Sequence, residues 1–267
     1  MSYSYQPRGQ PAHTHRRRVI RGHIILDERA ERRLRRARWR RISIVLALLT
    51  VLGGIVALYL SPLLRVQEVQ VVGTTNLEVE RVVQLADLAG QSMFRLKPDE
   101  AEARLEALPL VKSARVARRW PQTVRVQITE RAPWGLWRIG DSAYVIDAEG
   151  VILPDVQSPP NAPIINDLGG PVKLQPGDRV DVDAVALARS MLERVPQTLA
   201  LGIASLEYTP AAGLSLITDA SYRVVLGDSQ NVEYKLAVWQ AVEKELGREA
   251  MAGHVLDLRF EDRPSFQ

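Results

Sequence analysis

The sequence contains no cysteine, and only four histidines occur among its 267 residues. The absence of cysteine excludes disulfide frameworks, thiolate nucleophiles and cysteine-ligated zinc sites. His13, His15 and His23 lie near the N-terminus, where we interpret them as solvated side chains, and His254 is the single histidine in the rest of the chain. A histidine-rich metal site and a His-Glu-x-x-His motif are therefore excluded beyond the N-terminal segment.

Charge is distributed unevenly along the chain. Residues 1–41 contain 13 arginines and three acidic residues, a net charge of +10, whereas the other 226 residues carry a net charge of −6. We interpret residues 1–41 as an arginine-rich cytoplasmic tail that sets topology and adheres to anionic lipid. Contact of this tail with nucleic acid or with a cytoplasmic protein is the alternative. Because the remaining chain is acidic, no nucleic-acid partner is expected.

A long uncharged segment separates the tail from the rest. Between Arg41 and Arg65 lie 23 residues without a charge, ISIVLALLTVLGGIVALYLSPLL. A helix of this length extends roughly 35 Å, enough to cross a hydrocarbon layer about 30 Å thick. A cleaved signal peptide is disfavoured because the basic region before it is too long and no small-x-small cleavage site follows. A buried core helix would need a polar face. We therefore predict a transmembrane signal anchor at residues 42–64.

The cations that flank this segment predict its orientation. Eight arginines lie within the 20 residues before it, and the five nearest are Arg35, Arg36, Arg38, Arg40 and Arg41. Only Arg65 and Arg81 lie within a comparable stretch after it. By the positive-inside rule, these five arginines keep the N-terminus in the cytoplasm and place residues from about 65 onward outside the membrane.

Residues 65–132 predict a small domain with the order strand, helix, helix, strand, strand. A β-type run at 66–73 ends at Gly73, and a capping-box pattern at Thr75 and Glu78 precedes a short helix. Pro98 suits the first turn of a second helix. Strands are predicted at 111–118 and 123–130, and the second alternates between apolar and polar residues, as expected when one face is buried.

Residues 133–263 predict a second, mostly antiparallel β domain with two helices, and residues 264–267 a short tail. Asp147 and Glu149 precede Gly150, and this spacing suits a tight turn better than paired catalytic carboxylates. One helix is predicted at 183–194 and another from Asn231 to Gly247, with β runs at 164–165, 203–209, 213–218, 222–226 and 254–260. The apolar side of the later helix is predicted to carry Tyr234, Leu236, Ala237, Val238, Val242 and Leu246. The fold class is therefore α+β.

Several motifs resemble the FtsQ/DivIB family of cell-division proteins. In the first domain, V-x-x-V-x-V-x-G (66–73), G-x-x-x-F (90–94), L-P-x-V-x-x-A-x-V-x-R-x-W-P (108–121) and V-x-V-x-I-x-E-R-x-P (124–133) resemble the POTRA domain of that family. In the second, YRVVLG (222–227), the run Tyr234-Lys235-Leu236 and VLDLRF (255–260) resemble the end of its β domain. The resemblance covers roughly residues 42–262. It implies a single transmembrane helix followed by a POTRA-like β-α-α-β-β domain and an FtsQ-type β domain.

The resemblance also implies a function and partners. It implies a non-enzymatic scaffold of the divisome at the division septum, which helps control septal peptidoglycan synthesis through protein contacts. The implied partners are FtsB/DivIC-type and FtsL-type single-span proteins, other divisome components and the lipid bilayer. No cofactor or catalytic residue is expected, since the sequence has no Gly-x-Ser-x-Gly elbow, Ser-x-x-Lys pair or Walker A loop. A POTRA-bearing secretion or assembly factor and a membrane-anchored cell-wall hydrolase are the alternatives.

The last predicted strand is the candidate binding site. If no partner strand follows it, its edge presents unpaired backbone N–H and C=O groups, to which another protein can add a strand. In the family, the final strand receives a strand from the FtsB- and FtsL-type complex. By position in the motif, the candidate contact residues are Asp257, Leu258, Arg259 and Phe260, and Phe266 substitutes for an aromatic further downstream. The alternative for Leu258 and Phe260 is packing beneath the sheet.

Overall fold

The computed structural model describes residues 28–260 and 264–267, with side chains for 38–59, 61–260 and 264–267. The chain forms two compact units, Met1–Leu60 and Ser61–Gln267. Most of the arginine-rich tail, including its three histidines, lies outside the described residues, as do the side chains of Arg35 and Arg36.

The first unit contains one long helix, α1 (Glu28–Leu60). Within it, Arg38–Tyr59 has a mean hydropathy of 2.5 and is long and apolar enough to cross a membrane. Its apolar side chains are exposed, as expected for a helix that contacts lipid. The helix ends four residues before the predicted limit because Ser61 caps a 3₁₀ turn, Pro62–Leu64, and a residue that precedes proline avoids the helical conformation. Among the described residues, it is the one helix long and apolar enough to span a membrane.

The second unit begins with the predicted strand and helix order. The elements are β1 (Glu68–Val72), α2 (Val79–Ala86), α3 (Pro98–Glu106), β2 (Val111–Arg119) and β3 (Thr123–Glu130). Strand β3 is central, parallel to β1 and antiparallel to β2. The alternation of β3 buries Val124, Val126 and Ile128 in a core shared with both helices. The predicted β-α-α-β-β order is therefore confirmed.

The capping box predicted at Thr75 and Glu78 is wrong. Helix α2 begins at Val79, and its N-cap residue Glu78 makes no side-chain capping bond. The backbone N–H groups of Thr75 and Leu77 instead donate to the carboxylate of Glu130, at 2.7 and 3.0 Å. Burial by itself raises the pKa of Glu130, but these hydrogen bonds outweigh it and the pKa is lowered. A carboxylate from β3 therefore orders this loop, and local spacing does not reveal it.

The rest of the second unit is built on one eight-stranded sheet. Its strands are β4 (Pro133–Ile139), β5 (Ser142–Asp147), β6 (Ile164–Asp167), β7 (Ile203–Thr209), β8 (Gly213–Thr218), β9 (Arg223–Gly227), β10 (Val255–Asp257) and β11 (Ser265–Phe266). Their order in the sheet is β11-β10-β9-β8-β7-β6-β4-β5. Four neighbouring pairs are antiparallel and three are parallel. The prediction of a mostly antiparallel domain is thus confirmed.

Helices α4 (Val182–Leu199) and α5 (Val232–Leu246) pack with this sheet, and a four-residue helix, α6 (Arg248–Met251), follows them. Helix α4 extends beyond its predicted end at residue 194 and passes through Pro196. Val195 and Leu199, on either side of the proline, are buried in the core. Burial of these two side chains offsets the hydrogen bond that proline removes, so tertiary packing overrides the local signal.

An ion-pair cluster joins the two parts of this unit. Arg131, the residue after β3, donates from Nη1 to Asp147 Oδ2 at 2.6 Å and to Glu149 Oε2 at 2.8 Å. Lys112 Nζ of β2 lies 2.6 Å from Glu149 Oε1. The side chains of Arg131 and Asp147 are only 10% and 5% exposed. The junction between the two sheets is therefore held by a largely buried charge pair, which sequence analysis did not identify.

The two carboxylates of this cluster have structural roles. Asp147 Oδ1 accepts the backbone N–H groups of Glu149 and Val151, both at 2.8 Å. Gly150 adopts a φ of +77°, a conformation in which glycine has no steric penalty. The predicted tight turn is confirmed.

Acid is expected to weaken this cluster. Hydrogen bonds from Lys112 and Arg131 lower the pKa of Glu149 to about 2, below its ordinary value of 4.5. Because the folded-state pKa is depressed, Glu149 stabilises the fold above pH 4.5, and this contribution is lost as the pH falls toward 2. The side chain is 42% exposed, so solvent screening limits the contribution to about 1 kcal/mol.

Urea unfolding of residues 61–267 tests this. The free energy of unfolding of the wild type should exceed that of Glu149→Gln by about 1 kcal/mol at pH 7. The difference should nearly vanish at pH 2, because the protonated carboxyl then resembles the amide. An equal difference at both pH values would contradict the assignment.

Candidate partner-binding edge

The C-terminal residues form one end of the eight-stranded sheet. Strand β10 runs parallel to β9, and β11 pairs antiparallel on its other side, with Leu256 opposite Phe266 and Asp257 opposite Ser265. Val255 N–H donates to Gln267 O at 2.8 Å, and Gln267 N–H donates back to Val255 O at 3.0 Å. Strand β11, formed by the short tail, is therefore the terminal strand of the sheet.

The prediction of an unpaired edge on the strand at 254–260 is wrong in two respects. The strand is only Val255–Asp257, and its outer edge is paired with β11. The strand ends because the carboxylate of Asp257 accepts the backbone N–H of Arg259 at 3.0 Å and its Nη2 at 2.6 Å, which bends the chain. A four-residue tail gave no periodic signal for a strand, so its return to the sheet was not predicted.

Among the strands that the structure describes, the unpaired edge lies one strand further out, on β11. Residues of an antiparallel pair alternate between those bonded to the partner and those directed away from it. Because Gln267 is bonded reciprocally to Val255, the N–H and C=O of Phe266 point away from β10. This edge thus presents one outward-facing donor and one outward-facing acceptor.

Of the five predicted contact residues, the structure buries Leu258 and leaves the other four at least partly exposed. Leu258 is 3% exposed and packs in the core, as its alternative interpretation stated. Asp257 is half-buried and paired with Arg259, whose guanidinium lies 5.3 Å from the ring centroid of Phe260. Phe260 is 61% exposed, so packing beneath the sheet is wrong for this residue. Phe266 is 39% exposed, and its ring stacks on that of His254 at 5.1 Å.

Electrostatics keep Asp257 and Arg259 charged and paired. Burial by itself raises the pKa of Asp257, but hydrogen bonds from Arg259 outweigh it, and the pKa is lowered. The same hydrogen bond raises the pKa of Arg259. The pair therefore holds the Arg259 side chain across the Phe260 ring over the whole physiological pH range.

Arg259 and Phe260 also border an acidic pocket of about 330 Å³. Its carboxylates are engaged in structural bonds, for example Asp181, which caps α4 at Ala184 N and accepts the hydroxyl of Tyr208 at 2.8 Å. Burial and this hydrogen bond raise the pKa of Tyr208 to about 12. In the part of the chain that the structure describes, no group of three or more potential ligands is placed to hold a metal ion.

Helix α5 supports this end of the sheet through two buried residues, Trp239 and Lys235, that sequence analysis did not place in the core. Trp239 is fully buried, its Nε1 donates to the hydroxyl of Tyr222 at 2.9 Å, and the two rings meet edge to face. Burial raises the pKa of Tyr222 to about 12. Lys235 is also buried, and its ammonium bonds to the carbonyl and carboxylate of Asp228 at 2.8 and 2.9 Å. Trp239 and Lys235 therefore lie on the buried face of the helix.

The predicted apolar side of α5 is consequently wrong in part. Leu236 is buried as predicted, but Tyr234 and Leu246 are exposed. The buried residues of the helix are Lys235, Leu236, Trp239 and Glu243. A hydropathy pattern treats lysine and glutamate as exposed residues. It therefore places the buried face of α5 too far toward Tyr234 and Leu246.

Comparison with known proteins finds two family models that match successive parts of the chain. Residues 64–131 match the model of the POTRA domain, FtsQ-type, and residues 135–259 match that of cell division protein FtsQ/DivIB, C-terminal. Cell division protein FtsQ of Chloroflexus aurantiacus is 32% identical over 177 residues, which cover 65% of this chain and 64% of that protein. The protein of that name from Mycobacteroides abscessus is 28% identical over 209 residues, 78% of this chain and 64% of the relative.

A third relative aligns over most of its length. Cell division protein FtsQ of Neisseria gonorrhoeae is 27% identical over 239 residues, 88% of this chain and 92% of that protein. The chain thus spans just under two thirds of the length of the Chloroflexus and Mycobacteroides relatives and nearly all of this one. With both family models matched in order after a single apolar helix, the chain belongs to the FtsQ/DivIB family of cell-division proteins.

Proposed function

We propose that this chain is a non-enzymatic, bitopic scaffold of the divisome. In this role it binds other single-span division proteins at the septum and thereby helps control septal peptidoglycan synthesis. The observation that carries the proposal is the free terminal edge at β11, with an exposed aromatic and a fixed arginine beside it. Such an edge is suited to receive a strand and has no requirement for catalytic groups.

The proposed topology has a cytoplasmic N-terminus and extracytoplasmic domains. Arg38, Arg40 and Arg41 are exposed in α1 at the start of its apolar segment, within an arginine-rich flank, whereas the segment after the helix carries few cations. The positive-inside rule supports retention of the more basic flank in the cytoplasm. Cysteine labelling tests it cleanly, since the chain has no native cysteine: a Gln157→Cys variant should react with an impermeant maleimide in intact cells. If the Gln157→Cys variant is labelled only after cell lysis, the domains lie in the cytoplasm and the proposed orientation is wrong.

The proposed partner is an FtsB/DivIC-type chain in complex with an FtsL-type chain. Its strand would pair with the outer edge of β11, where the Phe266 N–H and C=O are directed outward. Phe260 would supply exposed apolar area, and Arg259, positioned by Asp257, a cation beside it. Backbone bonds give affinity in this mode and side chains give specificity.

Phe260→Asp is expected to weaken binding of residues 61–267 to the extracytoplasmic part of such a complex by about 30-fold, the effect of losing a hot-spot aromatic. Isothermal titration calorimetry measures it. Leu168→Asp is the matched control, since Leu168 is 58% exposed in another part of the sheet domain and should leave binding unchanged.

The backbone contribution can be tested separately. Phe266→Pro removes the outward-facing N–H, which an edge strand tolerates structurally, and should weaken binding more than Phe266→Ala. Binding that survives both Phe260→Asp and removal of residues 257–267 would reject strand addition at this edge. A fluorescent fusion that never concentrates at the septum of dividing cells would reject the divisome role itself.

A further inference from the structure

Three exposed apolar side chains lie together at the start of the second unit. Leu63, Phe94 and Trp120 are 66%, 45% and 54% exposed, and the Phe94 and Trp120 rings are 5.2 Å apart. Two hydrogen bonds bring their segments together: the side-chain Nε2 of Gln122 donates to Leu63 O at 3.0 Å, and the backbone N–H of Met93 donates to Leu64 O at 2.8 Å. Exposed aromatics grouped in this way mark an interaction surface rather than scattered surface residues.

Cations border the same surface. Arg65, Arg95 and Lys97 line a pocket of about 480 Å³, whose wall also contains Ser92. Lys97 pairs with Glu100 at 2.5 Å, whereas Arg65 and Arg95 are exposed and make no ion pair with any residue that the structure describes. The Ser92 Oγ is buried and has no hydrogen-bond partner among the described residues. The cations that line the pocket give it excess positive charge, which suits a phosphate group.

The covalent chain limits how far this surface can lie from the bilayer. Leu63 follows the last residue of α1 by three positions, and three residues span no more than about 11 Å even when fully extended. Phe94 and Trp120 are held against the same segment. Tryptophan is favoured at the headgroup level of a membrane, and arginine and lysine are attracted to anionic lipids.

We propose that Leu63, Phe94, Trp120, Arg65, Arg95 and Lys97 form a membrane-proximal surface that docks onto the bilayer beside the anchor. The aromatic rings lie in the headgroup region, and the phosphate of an anionic lipid occupies the basic pocket. Docking restricts the orientation of the first domain above the membrane. The proposal does not depend on partner binding or on topology, because the surface is on the same side of the membrane as the end of the anchor in either orientation.

The test uses the full chain in lipid nanodiscs that contain phospholipid brominated near the headgroup. A Trp39→Phe background removes the tryptophan at the start of the membrane helix. We expect the bromolipid to quench Trp120, more strongly in phosphatidylglycerol–phosphatidylcholine than in phosphatidylcholine alone. The quenched signal should disappear in Trp120→Phe and persist in Trp134→Phe, which alters a tryptophan of the second domain.

Neutralising the pocket should undock the domain. Arg65→Gln combined with Arg95→Gln should lower the ratio of docked to undocked protein in phosphatidylglycerol nanodiscs by roughly fivefold for each cation. Arg81→Gln combined with Arg115→Gln is the matched control, since it removes two exposed arginines of the same domain outside this surface. All four side chains are exposed, so the fold should be retained in both variants.

Four outcomes would overturn the proposal. Absence of Trp120 quenching in both lipid mixtures would show that the surface does not reach the bilayer. If Trp120 quenching is unchanged when Arg65→Gln and Arg95→Gln are combined, the lipid phosphate does not bind in the basic pocket. Binding of millimolar inorganic phosphate that leaves Trp120 quenching and its dependence on phosphatidylglycerol unchanged would assign the pocket to a free anion. Quenching that appears only after a protein partner is added would assign the surface to a protein.

Discussion

Replacing Arg131 by alanine should lower the free energy of unfolding of residues 61–267 by about 3 kcal/mol. The reason is that Asp147, only 5% exposed, would lose its cation while its charge stays buried. Asp147 still accepts hydrogen bonds from two backbone N–H groups. The expected loss of unfolding free energy is therefore at the lower end of the range for broken buried ion pairs. Urea unfolding followed by circular dichroism measures it.

The control distinguishes the buried pair from the exposed one. Lys112→Ala removes a cation that is 51% exposed, from the same cluster, and should cost less than about 1 kcal/mol. Equal losses for Arg131→Ala and Lys112→Ala would mean that burial does not strengthen the Arg131 interaction. A loss of the junction should also make the two parts of the unit unfold in separate transitions, because no other buried ion pair in the described residues joins them.

Replacing Trp239 by alanine should have a still larger effect, about 4 kcal/mol. Trp239 is fully buried between α5 and the C-terminal end of the sheet, so truncation leaves a cavity and orphans the Tyr222 hydroxyl. The affected strands, β9 and β10, are those that hold the proposed binding edge. Thermal and urea unfolding of residues 61–267 should both report the loss.

Trp239→Phe separates packing from hydrogen bonding. Phenylalanine retains an aromatic ring against Tyr222 but loses the Nε1 donor, so the expected loss is about 1–2 kcal/mol. Phe260→Asp changes an exposed residue nearby and should leave stability almost unchanged while it weakens binding. A Trp239→Ala protein as stable as Trp239→Phe would contradict the assignment of Trp239 as the anchor of this edge.

Where an element is amphipathic and its partners are near in sequence, the structure follows prediction closely. The alternation in β3 and the proline at the start of α3 gave correct strand and helix positions. The tight turn at Asp147 and Gly150 was also foreseen, because its bonds lie within four residues. The uncharged run gave the membrane helix, since length and apolarity are the only properties that a single span needs.

Two of the errors share a different physical cause. The loop at Thr75 is ordered by Glu130, and the buried face of α5 includes Lys235 because Asp228 neutralises its ammonium. In both cases the deciding group is polar, and its partner lies outside the loop or helix concerned. A pattern based on hydropathy counts such residues as exposed, because it does not include their partners.

By itself, the sequence determined the single membrane helix, the β-α-α-β-β order of the first domain, and the family to which the chain belongs. These depend on periodicity, turn residues and motif spacing, which are local properties. Tertiary structure alone decided which edge of the sheet is free. The outer side of β10 is occupied by β11, because backbone hydrogen bonds pair strands whatever their side chains, and the residues of a four-residue tail carry no signal that they will do so.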